Sequence, residues 1–211
     1  MNKTNIDIRI MGCHKRDKNI SKLVSDLHLP KENVVYDDRP SGGDAMYTAR
    51  KAWLSEPNYP FTHRLVLQDD VEVCENFLLI INTIVRAHPN RVISLINFMT
   101  PVNYPNHKNT PYYKVNFIPG CGIIMPKWVI KPCMQWCKES TNELLKPHDG
   151  LMISKYCREH SVTMITTIPN IIQHYDNDTL LHQTYTWKRI SKTYSPTPQA
   201  DWTNTSILLP R

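Results

Sequence analysis

Apolar residues recur along the chain in two patterns, as short continuous runs and as stripes at helical spacing. The runs predict strands over 6–11, 34–36, 64–68, 91–96, 122–125 and 162–168. The stripes predict helices over 20–29, 45–53, 77–85 and 149–160, and a further helix begins after Pro126. Strands and helices that alternate in this order predict an α/β fold with a largely parallel central sheet flanked by helices.

Polar residues and a glycine follow several of the predicted strands. Residues 12–16 follow the first strand, Asp37 the second, and Asp69 and Asp70 the third, while His174 ends a late apolar stretch. In open α/β sheets, ligands bind at the carboxyl ends of the strands. These positions are therefore the first candidates for a functional site.

The chain is long enough for one well-packed domain, and its charge is basic. It has 211 residues, with 25 Lys and Arg against 19 Asp and Glu, a formal net charge of +6. This charge suits an anionic partner such as nucleic acid or a sugar nucleotide, although a soluble basic protein without such a partner is the alternative. The longest apolar run is 77–81 and the N-terminus has no apolar signal core. We therefore expect a cytoplasmic protein with no transmembrane segment.

Six cysteines occur without any C-x-x-C spacing, and we expect reduced thiols. Cys133, Cys137, Cys157 and His160 offer four potential zinc ligands. Both pairs lie in predicted helices that nothing in the sequence forces together, so buried core thiols are the favoured interpretation.

The segment 65–71, Leu-Val-Leu-Gln-Asp-Asp-Val, is the most informative motif. A buried strand delivers two adjacent carboxylates, which repel one another unless a cation or hydrogen-bond donors lie between them. Carboxylate oxygens suit Mg²⁺ or Mn²⁺, which in turn bind phosphate oxygens. A solvated turn after the strand is the alternative.

This motif, followed by Glu75-Asn76-Phe77, resembles the acidic motif of GT-A fold glycosyltransferases, most closely the family-25 type that includes lipooligosaccharide transferases. The resemblance covers roughly residues 5–176. It implies a divalent metal and a nucleotide-sugar donor, most simply a UDP-sugar. Carried over, Asp70 is the metal ligand and Asp69 orients the ribose or the donor sugar, whereas Gln68 is not counted as a ligand.

The same resemblance implies which residues bind the nucleotide. They lie at the ends of the first two strands, in the glycine-containing turn 41–44 and on the helix that follows this turn: Met11, Gly12, His14, Arg16, Asp37, Gly43 and Arg50. For His14 and Arg16 a solvated turn is the alternative, and Gly43 is open to interpretation as an ordinary turn residue.

The distal half resembles the family in three further segments. Gly120 and Gly122 match a glycine-rich strand that lines the donor-sugar pocket, and His174 matches a late histidine that completes the metal site. Asp149 matches an acid that acts as general base in inverting members and that orients the donor or acceptor in retaining ones. A helix cap is the alternative for Asp149, and a structural role is the alternative for His174. Arg16, Arg50 or Lys127 is expected to help the metal neutralise the departing diphosphate.

The expected acceptor is inferred from a long loop and from the C-terminal part of the chain. We expect a transferase domain over 1–180, which contains the long loop over 99–114, and a basic, aromatic tail over 181–211. Cationic and aromatic residues suit DNA, since they contact phosphates and stack on bases. The tail supplies Lys188, Arg189, Lys192, Tyr185, Trp187, Tyr194 and Trp202.

We therefore expect transfer to a hydroxymethylated pyrimidine in DNA, as in enzymes that some bacteriophages encode, which would work in the host cytoplasm. A surface glycan is the alternative acceptor, and a tail that docks on a membrane or on its own domain is the alternative to DNA contact. A non-enzymatic nucleic-acid-binding protein is the alternative from a different class.

Overall fold

A computed structural model describes residues 4–38, 45–98, 110–140, 148–175 and 190–209. The strands are β1 (Ile6–Gly12), β2 (Val34–Tyr36), β3 (His63–Gln68), β4 (Val71–Val73), β5 (Val92–Ser94), β6 (Tyr112–Lys114), β7 (Gly122–Pro126), β8 (Met164–Thr167) and β9 (Ile172–His174). The helices are α1 (Asp17–Asp26), α2 (Ala45–Leu54), α3 (Phe77–Ala87), α4 (Lys127–Glu139) and α5 (Asp149–Glu159).

The central sheet has seven strands in the order β2-β1-β3-β7-β5-β8-β6. Strands β1, β2, β3, β5 and β8 run in one direction, while β7 and β6 run against them. The α/β class and a sheet that is mostly parallel in strand direction are therefore confirmed. The antiparallel β7 lies in the middle of the sheet and was not expected.

Two apolar cores form, one on each face of the sheet. Helices α1 and α3 cover the first face, and α2, α4 and α5 cover the second. Strand β3 supplies both cores, because Leu65 and Leu67 face one side and Val66 faces the other. Helix α3 illustrates the match to the apolar stripes, since Ile81 and Ile84 are fully buried against the sheet.

A buried charged network lies at the starts of β1 and β3. Asp7 accepts a 2.6 Å bond from Arg64 Nε and a 3.1 Å bond from Arg9 Nε. Arg64 also donates to the carbonyls of Ala52 and Trp53, at 3.1 and 2.6 Å. These carbonyls lie at the end of α2, where they lack helical partners. The network therefore fastens the C-terminal end of α2 to the sheet.

The strand β4, directly after Asp70, pairs with β9 in a separate two-stranded sheet. Its antiparallel register places Val71 opposite His174 and Val73 opposite Ile172. This pairing brings a residue from late in the chain to the end of β3. It is the step that assembles the candidate site.

The described part of the predicted tail, residues 190–209, packs on the domain. Trp202 is buried in the first core, and Tyr112 Oη donates a 2.6 Å hydrogen bond to its carbonyl. Leu208 lies alongside Tyr113 in β6. Residues 112–114 of the expected long loop form this strand, which pairs with β8. Within the described ranges, no helix combines the length and apolar character needed to cross a bilayer.

Candidate active site

Two buried carboxylates and an arginine meet at the carboxyl ends of β1 and β3. Asp69 and Asp70 follow β3 directly and are 5% and 3% exposed. Arg16 ends a short 3-10 turn after β1, and its Nη1 lies 2.9 Å from Asp69 Oδ1 and 2.5 Å from Asp70 Oδ2. The backbone N–H of Cys13 donates a 2.6 Å hydrogen bond to Asp69 Oδ2. Because β1 and β3 are parallel neighbours, the polar residues beyond their ends meet.

The charges at this position are strongly coupled. Burial raises the pKa of Asp69, the adjacent charge of Asp70 raises it further, and the Arg16 and Cys13 hydrogen bonds oppose both effects. Burial lowers the pKa of Arg16, but the carboxylates of Asp70 and Asp69 outweigh burial and raise it. One guanidinium faces two carboxylates, so with both carboxylates ionised this group of three side chains has a formal net negative charge. It attracts a further cation.

His174 completes the group from β9. It is 1% exposed, and its Nε2 lies 3.1 Å from Asp70 Oδ2. That approach does not have hydrogen-bond geometry, and neither ring nitrogen has a hydrogen-bond partner in the described chain. Phe98 lies edge-on to the ring, with centroids 6.1 Å apart. The Asp70 backbone carbonyl accepts a 2.8 Å bond from Tyr175 N–H, which fixes the two segments together.

Asp70 and His174 fit two neighbouring ligands of one divalent cation. Adjacent ligands of an octahedral ion, each about 2.1 Å from the metal, lie about 3 Å apart. A buried imidazole nitrogen without a hydrogen-bond partner is also suited to coordination. Across the described ranges, no three His, Cys, Asp or Glu side chains converge as a ready-made metal centre. A cation held here therefore needs further oxygen ligands from a bound phosphate and from water, as Mg²⁺ commonly does.

Asp149 lies at the first turn of α5, beside the end of β3. Its Oδ1 accepts a 2.8 Å bond from Gly150 N–H, and the Gln68 side chain also bonds to its carboxylate. Burial raises its pKa, and the bonds from Gly150 and Gln68 only partly oppose burial. The carboxylate packs directly on Gly120, where any side chain would overlap it. Gln68 therefore connects the predicted base to the strand that carries the acid pair.

The residues predicted at the ends of β1 and β2 lie near one another. His14 is exposed and stacks on Tyr36, with ring centroids 4.1 Å apart and planes inclined by 6°. Asp37 follows β2 and is half-buried. Gly12 lies against the Ile20 and Val34 side chains, so its small size is required for packing. Met11 is buried in the second core, and only its backbone remains as a contact for a nucleotide.

Three other predicted residues either have another place in the fold or lie outside the described chain. Arg50 lines an open cavity of about 440 Å³ beside β2, together with Val35 and Tyr47. Gly43 lies outside the described residues. Gly122 is buried in the sheet, and a side chain there would overlap Ile172. Its glycine is therefore explained by the close packing of the β9 segment.

The expected role of Lys127 is wrong. The register of β3 and β7 pairs His63 with Pro126, and the Lys127 N–H donates to the Thr62 carbonyl. Lys127 thus lies beside the start of β3, and the acid pair follows its end, roughly 20 Å away. The error arose because β7 runs antiparallel to β3.

The cysteine pairs do not assemble with His160. Cys133, Cys137 and Cys157 are buried in the second core, and Cys133 and Cys137 hydrogen-bond to one another. His160 is exposed, and its Nδ1 lies 3.0 Å from the Tyr156 carbonyl oxygen. The thiols are packing residues in this arrangement.

Several parts of the site were not predicted from the sequence. These are the Cys13 N–H, the Gln68 side chain, Phe98 and Gln173, which precedes His174 in β9. The position of Gln68 before the acid pair was visible in the sequence, but its contact with Asp149 depends on the packing of α5.

No known protein family and no curated protein matches this sequence.

Proposed function

We propose that the protein is a metal-dependent GT-A glycosyltransferase that moves a sugar from a UDP-sugar to a hydroxyl group. The observation that carries the proposal is the approach of Asp70 and His174 to 3.1 Å at the carboxyl ends of parallel strands. Arg16 lies within hydrogen-bond distance of the same carboxylate. Cations at this edge of the sheet suit a diphosphate, which is the leaving group of such a donor.

Asp70 and His174 would hold Mn²⁺ or Mg²⁺. When bound, the cation would supply positive charge to the departing diphosphate. Arg16 adds a fixed positive charge beside it. Asp69, which bonds to Arg16 and the Cys13 N–H, is the residue proposed to orient the ribose or donor sugar. Gly12, His14 and Asp37, at the ends of β1 and β2, form the proposed nucleotide side of the site.

Asp149 is the proposed general base. Its burial favours the protonated form, so its carboxylate is a stronger base than that of an exposed aspartate. It takes the proton of the acceptor hydroxyl while that oxygen bonds to the anomeric carbon. The bond from that carbon to the diphosphate oxygen breaks, and the nucleoside diphosphate leaves with its electron pair. Direct attack of this kind inverts the anomeric configuration, which NMR of the product measures.

Hydroxymethylated pyrimidine DNA is the proposed acceptor, and the net charge of +6 supports it. In the tail, Lys192 is exposed and available for phosphate contact, whereas the burial of Trp202 excludes it from stacking on a base. Lys188 and Arg189 lie outside the described residues.

A screen of sugar nucleotides tests the proposal. Each donor is incubated with Mn²⁺ and either hydroxymethylated DNA, unmodified DNA or a saccharide acceptor, and release of the nucleoside diphosphate is measured. We expect Mn²⁺-dependent transfer to the modified DNA alone. Transfer only to the saccharide would move the acceptor to a glycan. DNA binding with no response to Mn²⁺ and any sugar nucleotide would instead support a binding protein.

A further inference from the structure

The segment after residue 189 returns to the strand that carries His174. The backbone N–H of Ser191 donates a 2.7 Å bond to Gln173 Oε1, and Gln173 Nε2 donates a 3.1 Å bond to the Ser191 carbonyl. The Gln173 side chain therefore binds Ser191 as a neighbouring strand would. Its Oε1 also accepts a 3.2 Å bond from the N–H of His174.

A second, buried set of contacts fixes this arrangement. Asn170 is fully buried, and its Nδ2 donates to Ser191 Oγ and, at 3.1 Å, to the Asn97 carbonyl. The Asn170 N–H donates to the Thr193 carbonyl at 3.2 Å, and Thr193 N–H donates to Ser191 Oγ at 3.1 Å. Ser191 is itself 5% exposed. The returning segment is thus held in register against residues 170–173.

His174 depends on its backbone for orientation. Neither ring nitrogen has a hydrogen-bond partner in the described chain, although Asp70 Oδ2 lies 3.1 Å from Nε2 and Phe98 contacts the ring edge-on. A metal-binding histidine is commonly oriented by a hydrogen bond at its second nitrogen. Here β4 pairs with one side of β9, and the Gln173–Ser191 contact lies on the other. The backbone of His174 is therefore supported from both sides.

We propose that Gln173, through its contacts with Ser191 and the His174 N–H, is a positioning residue that holds His174 for metal binding. This inference rests on the proposed function, because it assumes that His174 is a metal ligand. It assigns the segment 191–195 a role in the metal site. Groups that orient metal ligands typically contribute a factor of about 10 to 100 in metal affinity.

The test compares Gln173→Ala with Tyr112→Phe in the full-length protein. Tyr112→Phe removes the hydrogen bond to the Trp202 carbonyl and loosens the same C-terminal segment far from His174 along the chain. Mn²⁺ affinity is measured from the EPR signal of the free ion, with and without UDP, and thermal unfolding is followed in parallel. We expect Gln173→Ala to weaken Mn²⁺ binding by about 10- to 100-fold while Tyr112→Phe binds as the wild type does.

Three further variants make the outcome decisive. Gln173→Glu keeps an acceptor for both N–H groups but loses the Nε2 donor to the Ser191 carbonyl, so it should recover only part of the Mn²⁺ affinity. His174→Ala should abolish binding. If Gln173→Ala does not fold, Ser191→Ala takes its place. It removes only the hydroxyl contacts of Ser191 with Asn170 and Thr193, and it should also weaken Mn²⁺ binding. Wild-type affinity in Gln173→Ala or, where that variant does not fold, in Ser191→Ala would overturn the inference, as would an equal loss in Tyr112→Phe. A wild-type protein that binds no Mn²⁺ would instead refute the proposed metal site.

Discussion

Acidification should destabilise the protein through His88, a buried histidine at the end of α3. His88 is 4% exposed and packs edge-on against Tyr112, with ring centroids 4.1 Å apart. Burial and, to a lesser degree, the charge of Arg91 lower its pKa from 6.5 to about 4, although a hydrogen bond with the Asn204 backbone opposes both effects. The folded protein therefore holds this ring in the neutral form.

The sign and size of the effect follow from this pKa. Between pH 6.5 and about 4 the unfolded chain binds a proton at this position and the folded chain does not. The contribution of the neutral His88 ring to the unfolding free energy is complete above pH 6.5, and it is lost as the pH falls through this window. A gap from 6.5 to about 4 corresponds to about 3 kcal/mol of unfolding free energy lost between pH 7 and pH 4.

Urea unfolding at pH 7, 6, 5 and 4 measures this loss in the wild type and in His88→Phe. The variant keeps an aromatic ring against Tyr112 but cannot be protonated. Its unfolding free energy should fall by about 3 kcal/mol less than that of the wild type over this range. Burial also lowers the pKa of His63, so the comparison rests on the difference between the two proteins. His160→Gln, at an exposed histidine, is the control and should follow the wild type. Parallel pH curves for His88→Phe and the wild type would refute the reasoning.

Three further predictions concern buried groups. Asp149→Asn should lower kcat by about 100-fold or more. Relative to the wild type, Asp149→Asn should also raise Tm, and by more as the pH rises above 3.8, because burial raises the pKa of the wild-type carboxyl and disfavours its charged form. Normal turnover with a lower Tm would instead show that Asp149 caps the helix. Asp7→Ala should lower the unfolding free energy by about 3 to 5 kcal/mol, since it leaves Arg9 and Arg64 buried without their carboxylate, and an unchanged urea midpoint would contradict this. Gly120→Ala should reduce kcat in a folded protein because its methyl group displaces the Asp149 carboxylate, and wild-type kinetics would show that the carboxylate position is unimportant.

The sequence predicted the elements whose patterns are local. The strand 64–68 and the helix 77–85 lie within β3 and α3, because an apolar run and a helical stripe each record which sides of the element are buried. The acid pair at the end of β3 follows from the same pattern. Its proximity to Arg16 follows from the parallel pairing of β1 and β3. The alternation of strands and helices predicted a largely parallel sheet but not which strands are neighbours.

Pairings between distant segments could not be predicted in this way. The direction of β7 depends on partners on both sides of it, and the error at Lys127 came from that direction. The contact of Gln173 with Ser191 joins segments separated by residues 176–189, and no local pattern records it. The burial of Trp202 likewise depends on Tyr112 and the first core. The basic, aromatic composition of residues 181–211 had instead suggested an exposed tail.

Mn²⁺-dependent UDP binding by Asp70→Asn tests the central claim most directly. The amide has the shape of the carboxylate but no charge, and Arg16 retains its bond to Asp69, so the variant should fold. Asp26→Asn is the matched control, since Asp26 pairs with Lys22 on the exposed side of α1. In calorimetric titrations we predict that the wild type and Asp26→Asn bind UDP more tightly with Mn²⁺ than without it. Asp70→Asn should lose this Mn²⁺-dependent gain, because a neutral amide cannot supply the missing charge. Equal Mn²⁺-dependent affinity in a folded Asp70→Asn protein would contradict the account.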